Sequence, residues 1–281
     1  MNTETVYKNV LSHRETAEGP NALRSFLILT FILSWGAIVL LILFYDQIVS
    51  AFGDSPDTNP VFILAVYSPG IVGVLTIWQN YGLRGLGSFF RRLTLWRAPV
   101  PWWLFILLGI PALVYAAAAV NGTISDPFPF SPWYLVMPAV AHALFLGPIE
   151  ELGWRGFALP LLQRRFAPIW SGLILGIIWA VWHIPAFLLS GTAQSAWSFG
   201  PFFIGVVAIS IILTPLFNAA RGSLLIAVLY HFQMMNPIWP DAQPWDNLFF
   251  TAVALIVVLL NRREMFKRGK GVTTILFPGD R

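Results

Sequence analysis

Two adjacent glutamates, an arginine and two histidines stand in stretches of this chain that are otherwise almost wholly apolar. They are Glu150, Glu151, Arg155, His183 and His231, with Asn236 just behind the last. An ionisable side chain at bilayer depth costs roughly 2.5–3.5 kcal/mol or more, so each needs a reason to be there. Successive helical residues turn by about 100°, so Glu150 and Glu151 face different directions. Arg155 follows Glu151 at the i, i+4 spacing, and in the order, that favours an ion pair. Glu151 is thereby neutralised on its own helix. Glu150 points elsewhere without a local partner, the setting of a general base or a metal ligand. Glutamate with two histidines can hold a divalent metal such as zinc, with Glu150, His183 and His231 as the ligands, or can orient a water for attack on a carbonyl. His231 and Asn236 can donate hydrogen bonds to the developing oxyanion. Base, water and oxyanion donors are the parts that amide hydrolysis requires.

The competing explanation is that these residues only bind helices together, each hydrogen bond being worth about 1 kcal/mol. That suffices for one isolated residue but not for two glutamates with histidines on two other apolar segments. His142 lies about 80° off the Glu150 face and about 12 Å along the axis, and reads as a structural polar contact. Trp154, Trp179 and Trp182 read as packing and interface residues. No serine has the setting of a nucleophile elbow. The chain has no cysteine, which removes thiol catalysis, disulfides, Cys-based zinc sites and palmitoylation.

The elements that must position these groups are membrane helices. Of 281 residues, 57% are hydrophobic and only 11% charged, against about 25% charged in a soluble domain. Spans of roughly 20 apolar residues are needed to cross about 30 Å of hydrocarbon. Eight such segments are predicted: Leu23–Tyr45, Pro60–Trp78, Trp102–Val120, Pro132–Leu162, Pro168–Leu189, Phe199–Phe217, Ser223–Met235 and Leu248–Leu260. The fourth is too long for one straight crossing and must contain a tilt or an interfacial turn. With the N-terminus inside, all 17 Lys and Arg fall on cytoplasmic segments, and the outer loops carry only acids such as Asp126, Asp241 and Asp246. The positive-inside rule thus supports eight spans with both termini cytoplasmic.

The fold class expected is therefore an all-α polytopic membrane protein. A polar tail (1–21), a membrane domain (22–260) and a basic tail (261–281) make up the chain. The arginine-rich stretch Gly82–Arg97 reads as a basic loop, or as an amphipathic helix on an anionic leaflet. In these spans Glu150 sits toward the inner side and His183 toward the outer. Arg155 reaching to the cytoplasmic interface would ease that mismatch. The formal net charge of +4 is the usual basicity of cytoplasmic loops, and no compact basic domain exists to bind nucleic acid.

The string Glu150-Glu151-Leu152-Gly153-Trp154-Arg155 resembles the EExxxR motif of the CPBP (CAAX protease and bacteriocin-processing, or Abi) membrane proteins, which include the type II CAAX prenyl proteases. Trp179-Ala180-Val181-Trp182-His183 resembles their FxxxH motif with Trp in place of Phe. The region Asn218–Asn236, carrying His231, resembles their third motif, which ends HxxxN or HxxxD. The motif region covers about residues 145–240. The resemblance implies an intramembrane endopeptidase in the cell membrane of a prokaryote, acting on peptide or protein substrates, lipidated ones included. Glu150 and His183 would activate water, with or without a divalent metal. His231 and Asn236 would stabilise the oxyanion, and Glu151 with Arg155 would hold the site. One departure concerns the third motif: Met235 occupies the usual place of the asparagine, and Asn236 is turned from it by about 100° on a regular helix. Two other functions fit the same polar cluster: a non-catalytic binding or immunity protein of this fold, and a proton- or cation-coupled transporter. No repeat symmetry supports the second.

Overall fold

The computed structural model describes residues 20–53 and 58–280, so residues 1–19 of the expected polar tail lie outside the described residues. Every regular element among the described residues is helical. Six helices are long and apolar enough to cross a membrane: α1 (Asn21–Leu43), α2 (Pro60–Thr94), α3 (Val100–Asn121), α4 (Trp133–Gln163), α5 (Pro168–Leu188) and α6 (Phe199–Ala219). The other two expected spans are the shorter apolar helices α7 (Leu224–Met234) and α8 (Trp245–Leu260).

Burial divides these helices by role. From Glu150 to Gln163, α4 is buried on every side, and so it forms the axis of the bundle. Around it, α1 packs on α2, α5 on α6, and α6 on α8. The outward faces carry Leu29 and Ile32 of α1, Leu107 and Leu108 of α3, and Leu255 and Leu259 of α8, all more than half exposed. In lipid such faces need no protein partner, and what must be satisfied internally is the polar backbone and the few polar side chains. Interhelical hydrogen bonds do this locally. Ser210 Oγ donates to the Gly172 carbonyl (2.9 Å), Trp35 Nε1 to that of Trp182 (3.2 Å), and Gln233 Nε2 to that of Ile106 (3.0 Å).

Within Gly82–Arg97 the chain is helical to Arg91, with Leu83, Arg84 and Phe90 on an exposed face and Gly85, Ser88 and Phe89 on a buried one. Gly82 takes φ 63, a value that favours glycine, and the helix resumes beyond this kink to Arg91. Arg92 then turns inward and is 1% exposed. Its guanidinium donates to the carbonyls of Gly222 (2.9 Å), Gly156 (2.9 Å) and Ile275 (2.7 Å) and lies between the Phe89 and Phe217 rings. The basic tail is likewise docked where Ile275 is buried. Val272 N–H donates to Asn218 Oδ1 (2.9 Å), Gln163 Nε2 to the Val272 carbonyl (2.9 Å), and Phe277 N–H to Ser88 Oγ (3.0 Å).

Candidate active site

The expected break in α4 falls at the two glutamates. Gly147 is followed by Pro148, which lacks an N–H to continue the helical ladder. The chain passes through a 3₁₀ turn (Pro148–Glu150), one α turn (Glu151–Gly153) and a π turn (Trp154–Ala158). π turns inside α-helices are frequent at functional sites because they re-aim side chains. Glycines on α2 let this irregular segment come close. A Cβ on Gly70 would stand 2.8 Å from the Ile149 carbonyl oxygen, and one on Gly73 would stand 3.2 Å from the Cα of Gly153. Contact between small residues of this kind is how membrane helices pack without a hydrophobic drive.

The two carboxylates have different surroundings. Glu151, fully buried, accepts from Arg155 Nη1 (2.9 Å) and from His231 Nδ1 (2.8 Å) through the same oxygen, Oε1. The i, i+4 pair read from the sequence is therefore present, and α7 adds a second partner from 80 residues away. Among the described residues no cation side chain hydrogen-bonds Glu150. Its Oε2 accepts two indole N–H groups, Trp179 Nε1 at 2.8 Å and Trp154 Nε1 at 3.2 Å, and its Oε1 has no donor among the described residues. Hydrogen bonds to a charged group contribute about 1.5–3 kcal/mol each.

Trp179 is the hub of the arrangement. Its carbonyl lies 2.8 Å from His183 Nδ1, its ring centroid 5.3 Å from that of His231, and the Arg155 guanidinium carbon lies 4.5 Å above the ring. A carbonyl only accepts, so His183 carries its proton on Nδ1 and, when neutral, presents Nε2 as an acceptor. His231 has Nδ1 committed to Glu151 in the same way, and its Nε2 lies beside Gly147.

Glu150, Glu151, Arg155, His183 and His231 thus meet around one tryptophan. Glu150 and His183 are joined through Trp179 and not to each other, which bridges the difference in depth expected from their spans. Arg155 does not reach toward an interface. It is fully buried, with Nε and Nη2 unpartnered inside the bundle. Asn236 is not drawn in: α7 ends at Met234, and the Asn236 amide donates to Gln233 Oε1 (3.2 Å) and accepts from Ile238 N–H (3.3 Å), closing the turn. His142 is exposed rather than in a structural contact. The reading of Trp154 and Trp179 as packing residues is corrected, since both hold Glu150. Their signal was spacing, Trp154 lying one helical turn after Glu150 and Trp179 one turn before His183. Among the described residues, no three His, Cys, Asp or Glu side chains come together to hold one ion. The Glu150, His183 and His231 set therefore does not fit a metal as it stands.

Residues 130–235 match the family described as type II CAAX prenyl endopeptidase, Rce1-like. The match contains both glutamates, Arg155, both Glu150-binding tryptophans, His183 and His231, and stops one residue before Asn236. CAAX prenyl protease 2 of Methanococcus maripaludis is 28% identical over 176 residues, covering 59% of this chain and 63% of that protein. Both similarities are to CAAX-type membrane endopeptidases, and the family match spans the stretch that carries the two glutamates, Arg155, His183 and His231.

Proposed function

We propose that the chain is an intramembrane endopeptidase in which Glu150 activates water for attack on a peptide carbonyl. The observation that carries this reading is the division of labour between the two carboxylates. Glu151 is paired through Oε1 with Arg155 and His231, its Oε2 being buried without a partner, whereas Glu150 has no cation bonded to it, is fixed through Oε2 by two indoles and keeps Oε1 for a water. Neutral His183, with Nε2 as acceptor, orients the same water. Glu150 takes one water proton as the oxygen adds to the carbonyl carbon, then returns it to the leaving amine. His231, positioned through Nδ1 by Glu151, turns Nε2 to the oxyanion as its hydrogen-bond donor. Every group in this route belongs to the chain or to water. Asn236 serves the turn behind His231.

The substrate in this reading is a peptide or protein segment presented at the membrane. The name of the Methanococcus relative makes prenylated C-terminal cysteine peptides the first to try. Eight spans, cytoplasmic termini and a prokaryotic plasma membrane complete the proposal, the distribution of Lys and Arg being its support.

The test is hydrolysis by protein in nanodiscs of matched peptides with and without a prenyl group, followed by mass spectrometry. Wild type, Glu150→Gln, His183→Ala and His231→Ala are compared, each with and without chelator. Cleavage by wild type alone is the expected result. Cleavage that survives in Glu150→Gln overturns the assignment, and chelator sensitivity would require a metal that the side chains do not present in this arrangement.

A further inference from the structure

Away from the site, α3 and α8 leave between them an apolar groove of about 530 Å³. Trp102, Gly109, Ala112 and Ala116 form one wall, and Val253 and Ile256 part of the other. The α3 wall runs from Pro101 to Ala116, about 22 Å at the helical rise, and so the groove suits a chain better than a compact ligand. Both walls belong to helices with exposed apolar faces, and the groove opens to lipid along its length.

Its two ends differ in charge. Asn121 Nδ2 donates to the Asp241 carbonyl (3.2 Å), which sets the end of α3 beside the start of α8 and makes the two helices antiparallel. The start of α3 therefore lies with the end of α8. There Arg97 precedes Val100, and Arg262 and Arg263 follow Leu260 and Asn261, the last groove residues. All three arginines are exposed, and none pairs with an acid among the described residues. Trp96 lies under the Arg97 guanidinium, and Trp102 lines the same mouth, aromatic rings of the kind that settle at headgroup level. The far end instead carries Asp241 and Asp246.

We infer that this groove is a binding site for an anionic phospholipid, one acyl chain lying between α3 and α8 and the phosphate held by Arg97, Arg262 and Arg263. A zwitterionic lipid fills the same groove but leaves the arginines without net countercharge. The site is independent of the peptidase reading.

Photolabelling of the full chain tests it, in nanodiscs carrying either phosphatidylglycerol or phosphatidylcholine with a diazirine in the acyl chain. Peptide mapping should place the phosphatidylglycerol label on α3 residues 101–116 and α8 residues 249–261, at roughly tenfold the phosphatidylcholine yield. Arg97→Gln/Arg262→Gln/Arg263→Gln should bring the two lipids to parity. Ala112→Phe/Ala116→Phe, which fills open space, should remove the label from both helices while size-exclusion profiles stay unchanged. Equal labelling of wild type by the two lipids overturns the inference, as does label spread evenly over the exposed face of α1. Displacement of the label by a farnesylated peptide would also overturn it, since the groove would then belong to substrate.

Discussion

Trp179 holds Glu150 through its side chain and His183 through its backbone: the indole N–H reaches Glu150 Oε2 at 2.8 Å, and the carbonyl accepts from His183 Nδ1 at 2.8 Å. One residue thereby fixes the distance between the two groups proposed to handle the water. The resembled motif has Phe at this position, and a phenyl ring could keep the carbonyl contact but not the indole bond. Trp179→Phe should therefore fold normally and lower kcat by about 10–100-fold, the equivalent of one hydrogen bond to a charged acceptor. Trp154→Phe should cost less, its bond to the same oxygen being longer at 3.2 Å. Steady-state hydrolysis of one peptide by both variants checks the order.

Glu150→Gln and Glu151→Gln should separate chemistry from stability. The first leaves no cation stranded, and should abolish cleavage while the melting temperature in detergent stays near wild type. The second leaves Arg155 buried with its charge unmatched, a change that costs about 3–5 kcal/mol. It should lower the melting temperature or prevent purification. A stable Glu151→Gln protein would refute the assignment of Glu151 as the counter-ion that assembles α4 with α7.

His231→Ala and Asn236→Ala should differ sharply despite their closeness in sequence. Cleavage should vanish in the first and fall less than about tenfold in the second, because Asn236 acts through the turn and not on the reacting carbonyl. Kinetic comparison on a common substrate decides this.

Much of the fold was legible because lipid imposes simple rules. Helix starts at Pro60, Pro168 and Phe199 agree with the expected spans, since composition and length alone mark a membrane helix. The Glu151–Arg155 pair was also legible, being a local consequence of helical spacing. What escaped was non-local or irregular. The inward turn of Arg92 depends on carbonyls supplied by Gly156, Gly222 and Ile275, remote positions that no window along the chain brings together. The two indole bonds to Glu150 depend on an irregular α4 and on the register of α5, and a tryptophan in a membrane span gives no sign in the sequence of which way its N–H points.

The docked segment behind α8 yields a further prediction. Deleting residues 272–281 removes the Ile275 carbonyl from Arg92 and the Val272 groups from Gln163 and Asn218. Stranding a buried donor costs about 1–3 kcal/mol each, more where it is charged. The truncated protein should melt several degrees lower, whereas loss of a solvated tail would leave the transition unchanged.

The bond between Glu151 and His231 has a consequence for biogenesis. When α4 leaves the ribosome, Glu151 can meet Arg155 on its own helix, but the second acceptor contact waits for α7, 80 residues later in synthesis. Until then a helix with two carboxylates has no stable place among lipid tails. The surroundings of Glu151 are thus complete only when α7 packs against α4, so the polar cluster ties together the early and late parts of the chain.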